Sequence, residues 1–374
     1  MTSPTLMPAL HSSTKGRATQ WTLYASNKEA WDAILADCAR ATTSISLEQF
    51  IFVNDDLGKK LIDVCAERAA AGVHVRFLWD AAGSFTIFGS DMVTTLRDRG
   101  IHLVFWKTLI PSYFRVPNFR SWYFRNHRRT LVVDGRISYT GSISVRDSMK
   151  NWRDTNVRFE GPVVKEMSNA FDRMWGRATD QKPLPRRTHA RDREFRYITN
   201  YPAPGRRHIY AELVDAIRSA RKYMYITTPY FVPTHRLLRV IKLAAHRGVD
   251  VRIVLPERTD HYPALDFAAR SYFTTLLESG VRLFLYEGTI IHSKAVIIDG
   301  EWATVGSMNL DSASLLYNFE ANIATTNAKF TEELAAHFVR DIQHSHEINL
   351  NEWRKRFFTE KIVERLMRLV KKFL

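Results

Sequence analysis

Apolar residues recur along this chain with two alternating periods, and the whole alternation occurs twice. Trp31, Ile34, Leu35 and Cys38 fall at helical spacing, and the strand-like run SISLEQFIF follows them. A second helical pattern, Leu57, Leu61, Ile62 and Cys65, stops at Gly72 and leads into VHVRFLW. The plan then returns. Leu213, Val214 and Ile217 mark a helix before YMYITTPYFV, and Leu237, Leu238, Ile241 and Ala244 mark one that stops at Gly248 before VDVRIVL. Glycine suits the position after a helix because it adopts the left-handed conformation at little cost. Each following strand alternates and then turns apolar throughout, as expected of a sheet covered on both faces. Two more matched pairs continue the series: RDRGIHLVFW with LESGVRLFLY, and NHRRTLVVDG with IHSKAVIIDG.

Helices alternating with strands in both copies predict an α/β protein of two similar halves. Two copies of one fold are expected to pack about a pseudo-twofold axis, with a site at their junction drawing on each. A length of 374 residues fits two domains. The expected organisation is a flexible N-terminus over 1–19, a first domain over 20–180, a Pro- and Arg-rich linker over 181–207, a second domain over 208–345, and a basic tail over 346–374. The first half carries extra sequence: Gly100 and His127 are 27 positions apart, whereas Gly280 and His292 are 12 apart. The surplus, KTLIPSYFRVPNFRSWYFRN, mixes Lys and Arg with Tyr, Phe and Trp. It reads either as a loop packed on its domain or as a basic-aromatic lip contacting lipid or single-stranded nucleic acid.

Charge narrows the partners. The 54 Lys and Arg against 39 Asp and Glu leave a net charge of +15, which favours nucleic acid, acidic lipid or phosphorylated substrates. The two cysteines, Cys38 and Cys65, fall at apolar helical positions and read as buried thiols in a reducing compartment. The first twenty residues lack the apolar core of a secretory signal, and no run of about 18 apolar residues predicts a membrane-spanning helix.

The candidate chemistry lies in the last matched pair. In IHSKAVIIDG, period-two alternation puts His292 and Lys294 on one strand face. Asp299 stands seven residues after the histidine, on the opposite face by parity, and Asp-Gly is a hairpin-turn signal, so Asp299 reads mainly as a turn or scaffold residue. The returning strand WATVGSMN brings Gly306, Ser307 and Asn309 back beside the pair, where Ser and Asn can hydrogen-bond an anion. NHRRTLVVDG repeats the plan with His127, Arg129 and Asp134, followed by Ser142 and Ser144 in TGSIS. Two imidazoles and two cations converging on one phosphodiester would let the cations neutralise nonbridging oxygens while one histidine attacks phosphorus and the other protonates the leaving alkoxide. Metal-dependent hydrolysis would want carboxylates or clustered histidines, whereas each histidine here is flanked by a cation, so no metal is expected.

At these residues the chain resembles the phospholipase D superfamily, marked by a duplicated His-x-Lys-x4-Asp motif. His292, Lys294 and Asp299 match fully; in the first copy Arg129 stands in the lysine position and Ser144 where many members have asparagine. TTPYFVP at 227–233, VGSMNLDSASLLYNFEAN at 305–322 and NWRDTNVRFEGPVV at 151–164 are similar to stretches of bacterial cardiolipin synthases. The resemblance implies two tandem phospholipase D-type α-β-α sandwich domains and a catalytic set of His127, Arg129, Asp134, His292, Lys294 and Asp299. Ser142, Ser144, Asp154, Ser307, Asn309 and Glu320 would then bind substrate, with Asp154 and Glu320 orienting the histidines. It further implies a covalent phosphohistidine intermediate without metal or cofactor, His127 as nucleophile and His292 as general acid. The expected reaction is phosphatidyl transfer from phosphatidylglycerol to the head-group hydroxyl of a second phospholipid. The alternatives are a phospholipase D-type phosphodiesterase or nuclease, and a non-catalytic phosphate-binding member.

Residues 352–374, EWRKRFFTEKIVERLMRLVKKFL, carry eight Lys and Arg against three Glu, with Trp353, Phe357, Ile362, Leu366, Leu369, Val370 and Phe373 at helical spacing. The segment reads as a helix docked on the core or as an amphipathic anchor for an anionic bilayer. The expected partners are therefore a phospholipid substrate and an anionic membrane surface rather than nucleic acid. The expected location is peripheral, on the cytoplasmic face of the bacterial inner membrane.

Overall fold

The structure is a computed structural model that describes residues 18–106, 124–181, 192, 194–259, 263–357, 360 and 362–363. Outside the described residues lie the expected N-terminal arm before residue 18, all but the last three residues of the expected lip over 107–126, 11 of the 27 residues of the expected linker over 181–207 and most of the tail beyond residue 357. The described part of that linker is not all loop, since it contains a strand over Phe195–Asn200.

The chain divides into two compact units. Among the described residues, the first unit holds those up to 106, then 129–150 and 155–197. The second holds 124–128, 151–154 and the residues from 198 onward. The first unit is therefore not one continuous stretch of 20–180: two short pieces of the first repeat cluster with the second unit.

The first unit begins with β1 (Gln20–Ser26), α1 (Asn27–Ala39), β2 (Ser44–Gln49), α2 (Asp56–Ala70) and β3 (His74–Asp80). It continues with α3 (Met92–Asp98), β4 (Ile101–Trp106), β5 (Thr130–Val133), β6 (Ile137–Gly141), β7 (Arg153–Glu160) and α4 (Pro162–Ala178). Seven strands form one sheet in the order β1-β7-β6-β5-β2-β3-β4. β2, β3 and β4 run parallel, while the β2–β5, β5–β6 and β6–β7 pairs are antiparallel. Trp31, Ile34 and Cys38 of α1 and Leu61, Ile62 and Cys65 of α2 bury one sheet face together with Leu131 and Val133. On the opposite face Ser138 of β6 donates to Met167 of α4. Helices thus cover both faces, and the strands read as apolar runs for that reason. Cys38 and Cys65 are buried free thiols, and their mutual proximity together with burial pushes the Cys38 thiol up.

The second unit starts with β8 (Phe195–Asn200), whose first residues still belong to the first, then α5 (His208–Ser219), β9 (Tyr223–Thr227) and β10 (Phe231–Val232). Next come α6 (His235–His246), β11 (Asp250–Pro256), α7 (Pro263–Arg270), α8 (Phe273–Leu277) and β12 (Arg282–Tyr286). After them run β13 (Ala295–Ile298), β14 (Trp302–Gly306), β15 (Leu310–Asp311), α9 (Ser312–Leu316) and β16 (Glu320–Thr325). The described chain closes with α10 (Ala328–Gln343), β17 (Ser345–Glu347) and α11 (Leu350–Arg354). The sheet order, β17-β12-β11-β9-β13-β14-β16-β8, repeats that of the first sheet with β17 added at one edge. α5 and α6 supply Leu213, Ile217, Leu237 and Ile241 to one face, and Phe338 of α10 stacks 4.6 Å from Tyr225 on the other. The duplication extends to the helix ends: Asp55 caps α2 through Gly58 N–H at 3.0 Å and Thr234 caps α6 through Leu237 N–H at 3.2 Å. Both helices are followed by a glycine at positive φ, +88° at Gly72 and +90° at Gly248.

Candidate active site

The ladder strands β5 and β13 begin after the histidines, so His127 and His292 precede the regular sheet rather than sitting within it. What fixes them is a pair of isolated parallel bridges, Asn126 with Phe319 and Arg153 with Ile291. Phe319 N–H donates to Arg125 O at 2.9 Å and His127 N–H to Phe319 O at 3.0 Å. In the second bridge Arg153 N–H donates to Ile290 O at 3.0 Å and His292 N–H to Arg153 O at 2.8 Å. Each bridge pairs the residue before a histidine with the residue before a carboxylate. The following side chains therefore meet, and they meet across the repeats: the second repeat's Glu320 takes the first histidine, and the first repeat's Asp154 takes the second. All four residues belong to the second unit.

His127 Nδ1 lies 3.0 Å from Glu320 Oε1 and 3.2 Å from Oε2; His292 Nδ1 lies 3.2 Å from Asp154 Oδ2. Both carboxylates are fully buried. A buried carboxylate accepts from Nδ1–H, which makes Nε2 the ring nitrogen that faces away from the carboxylate. Ser307 Oγ donates to Glu320 Oε2 and in turn accepts Ala321 N–H at 3.0 Å, so the serine expected to touch substrate instead holds the carboxylate behind His127. Lys294, buried, places Nζ 3.0 Å from His292 Nε2 and donates to His292 O at 2.8 Å. The shared face of His292 and Lys294 is thereby observed. Trp152 flanks the His292 ring at 5.5 Å and Tyr230 meets it edge-on at 6.4 Å.

Asp134 and Asp299, grouped with the catalytic residues by the resemblance, do a different job. Asp134 accepts N–H groups of Thr42, Thr43 and Ser44 at 2.7 to 3.1 Å, and Asp299 accepts those of Arg221, Lys222 and Tyr223 at 2.8 Å. Each staples the far end of its strand to the start of the neighbouring antiparallel strand, at φ of +53° and +55°. Those donors outweigh the cost of burial and hold the Asp134 carboxyl down at about 2. A side chain committed to three backbone donors at the end of the strand remote from the histidine is scaffold, as strand parity indicates.

Arg129 and Ser144 lie in the first unit, where Arg129 Nε donates to Ser144 Oγ at 3.3 Å. They occupy the places that Lys294 and Asn309 hold in the second repeat, 15 residues apart in both. The longer cation is matched by the shorter partner. Ser142 is fully buried; Asn309 is buried too, and its Oδ1 has no partner among the described residues.

Three residues escaped the sequence reading. Asn156 accepts Ile143 N–H at 3.1 Å, and Asn322 accepts Met308 N–H at 3.2 Å, shaping the turn after each Gly-Ser. Their signal is an asparagine two positions after each carboxylate, Asp154-x-Asn156 and Glu320-x-Asn322. Asp311 is buried within electrostatic reach of Glu320 and Lys294; burial, reinforced by the Glu320 charge, pushes its carboxyl up to about 6.

Comparison with known proteins agrees with this geometry. The family described as cardiolipin synthase, PLD-like domain, matches twice, over residues 34–175 and 213–342. The chain belongs to this family. A cardiolipin synthase of Geobacillus sp. (strain WCH70) is 32% identical over 379 residues, covering 94% of this chain and 72% of that protein. One of Listeria welshimeri is 33% identical over 362 residues, covering 93% and 74%. Among solved structures, a phosphatidylserine synthase of Haemophilus influenzae superposes with a TM-score of 0.71 at 15% identity, over 94% of this chain and 92% of that one. A polyphosphate kinase from Porphyromonas gingivalis gives a TM-score of 0.62 at 12% identity, over 95% of this chain and 53% of that one. At such identities the structures establish the fold alone. Each half of the PLD-like pair contains one histidine motif, so the family match and the crossed histidine–carboxylate pairs describe the same duplication.

Proposed function

We propose that this protein is a phosphatidyltransferase of the cardiolipin synthase type, acting through a phosphohistidine. The observation that carries this reading is the crossed pairing: two buried imidazoles, each held through Nδ1 by a buried carboxylate from the other repeat. Nε2 of His127 attacks the phosphorus of phosphatidylglycerol, the bond from phosphorus to the glycerol oxygen breaks, and His292 gives its proton to that oxygen. A head-group hydroxyl of a second phosphatidylglycerol then loses its proton to His292 and attacks phosphorus. The phosphorus–nitrogen bond breaks, and cardiolipin leaves. Glu320 and Asp154 steady the imidazolium charge that develops on each ring, and Lys294 is the cation for the nonbridging oxygens.

The relatives named cardiolipin synthases support the substrate, and the net charge of +15 supports an anionic lipid surface. Among the described residues no helix is long and apolar enough to cross a membrane, and Phe357 is 80% exposed at the start of the basic tail. The reading therefore includes peripheral attachment to the cytoplasmic face of the bacterial inner membrane.

The test is mass spectrometry after incubation with phosphatidylglycerol vesicles. Cardiolipin and free glycerol in equal amounts are expected; phosphatidic acid alone would make the protein a hydrolase. His292→Asn is expected to slow turnover about 10²- to 10⁴-fold and to leave a phosphatidyl adduct on the peptide containing His127. An adduct on His292 in a His127→Asn variant would reverse the roles.

A further inference from the structure

Asp154 reaches His292 only because the residue before it is fixed, and that residue is anchored from an unexpected direction. The Arg153 guanidinium is gripped in fork geometry by Asp341 of α10, Nε to Oδ1 at 2.6 Å and Nη2 to Oδ2 at 2.8 Å. Both side chains are at least nine-tenths buried, at 10% and 5% exposure. The third nitrogen, Nη1, donates to the carbonyl oxygen of Asp154 itself. The backbone of Arg153 meanwhile bonds Ile290 and His292 on both sides. One residue thus touches the orienting carboxylate's own peptide group, the histidine's backbone and a helix that otherwise only covers the sheet. The other repeat has no counterpart: Phe319 stands before Glu320, and Glu320 is steadied by Ser307 instead. The two histidines are therefore supported differently, although their motifs match.

We propose that the Arg153–Asp341 pair is a positioning device dedicated to His292, setting Asp154 so that the ring delivers its proton along the line of the departing alkoxide. Neither residue touches substrate; both act through Asp154. The inference rests on the assignment of His292 as the acid. A buried fork-to-fork pair resists substitution, because an amide at position 341 leaves a buried guanidinium without its full partner, and a lysine at 153 loses the fork.

The consequence is selective. Glycerol leaves as a strongly basic alkoxide and needs the proton; p-nitrophenol does not. Single-turnover release of the leaving group is to be measured with phosphatidylglycerol and with phosphatidyl-p-nitrophenol. For Asp341→Asn the glycerol release is expected to fall about 10- to 100-fold, while nitrophenol release stays within about threefold. Asp341→Glu should recover part of the glycerol rate, and Arg153→Lys should repeat the selective loss. Equal losses on both substrates, or none on either, would overturn the proposal. If Asp341→Asn fails to fold, as judged by its unfolding midpoint, Arg153→Lys carries the same two-substrate comparison. His292→Asn serves as the control: if it slows both substrates equally, the assignment of the acid fails, whatever the clamp variants do.

Discussion

Burial has made Asp311 an aspartate that keeps its proton well above the usual carboxylate range. Its carboxyl is pushed up to about 6, while Oδ1 accepts Ser314 N–H at 2.7 Å as the cap of α9. In the unfolded chain the same group titrates near 3.9, so the folded protein binds the proton more tightly. The resulting stabilisation is complete below a pH of about 3.9 and is lost as the pH rises through about 6. A shift of roughly two pH units bounds it at about 3 kcal/mol. Asp311→Asn keeps a good cap but has no proton to lose. Urea unfolding near pH 4.5 and near pH 7.5 should show the difference in stability between the two shrinking by about 1–3 kcal/mol in the variant. An unchanged difference would mean that Asp311 ionises normally. Asp134 behaves in the opposite sense: its carboxyl, held at about 2 by backbone donors, contributes stability above the unfolded value that fades as the pH falls through about 2.

At the scale of strands, the site depends on how closely β14 and β16 approach. A methyl group on Gly306 would overlap the carbonyl oxygen of Ala321 and the side chain of Asn322, and Gly141 meets Asn156 in the same way. Gly306 lets Ser307 reach Glu320. Gly306→Ala is expected to cost about 2–4 kcal/mol and to lower the rate further than the loss of fold explains, because the strand that carries Glu320 must move. Full activity at a temperature where the variant is folded would contradict that. These elements were largely legible beforehand. The periodicities at Trp31–Cys38 and Leu237–Ala244, the stops at Gly72 and Gly248, and the turns at Asp134 and Asp299 are all local. Local pattern decides helix, strand and turn. The pairing of Glu320 with His127 joins residues 193 apart, and Asp154 with His292 joins residues 138 apart. Nothing near either histidine indicates which carboxylate arrives, since Asp154 and Glu320 stand at matching distances after their own motifs. The two-residue bridges through Phe319 and Arg153 decide it. Arg153 with Asp341 was equally hidden, because an arginine on a strand and an aspartate on an amphipathic helix each look like solvated surface until they are buried together.

For the molecule as a whole, the basic tail has to be divided before its role can be tested. Trp353, counted in the apolar stripe by spacing, belongs to the core: it is 8% exposed and packs 5.2 Å from Phe273. Arg354 pairs with Glu278 at 2.6 Å. Removing residues 352–374 would therefore strip a core side chain and confuse unfolding with lost attachment. The surface break comes at Phe357, which is 80% exposed. From there to the end the sequence carries five Lys and Arg against two Glu, a net +3. Charges near an anionic membrane are worth about 1 kcal/mol each, and burying one exposed phenylalanine adds about 2 kcal/mol, so the segment supplies about 5 kcal/mol, or roughly a few thousandfold in partitioning. A chain ending at Arg356 should keep its unfolding midpoint and lose sedimentation with phosphatidylglycerol vesicles. The full chain should sediment with them at low salt and less so at about 0.5 M salt, where the Debye length is only a few ångströms. Catalysis separates the two roles: the shortened protein should still turn over short-chain, water-soluble phosphatidylglycerol at the parent rate, because every group around His127 and His292 remains. Undiminished sedimentation of the shortened chain would place the membrane contact elsewhere on the basic surface.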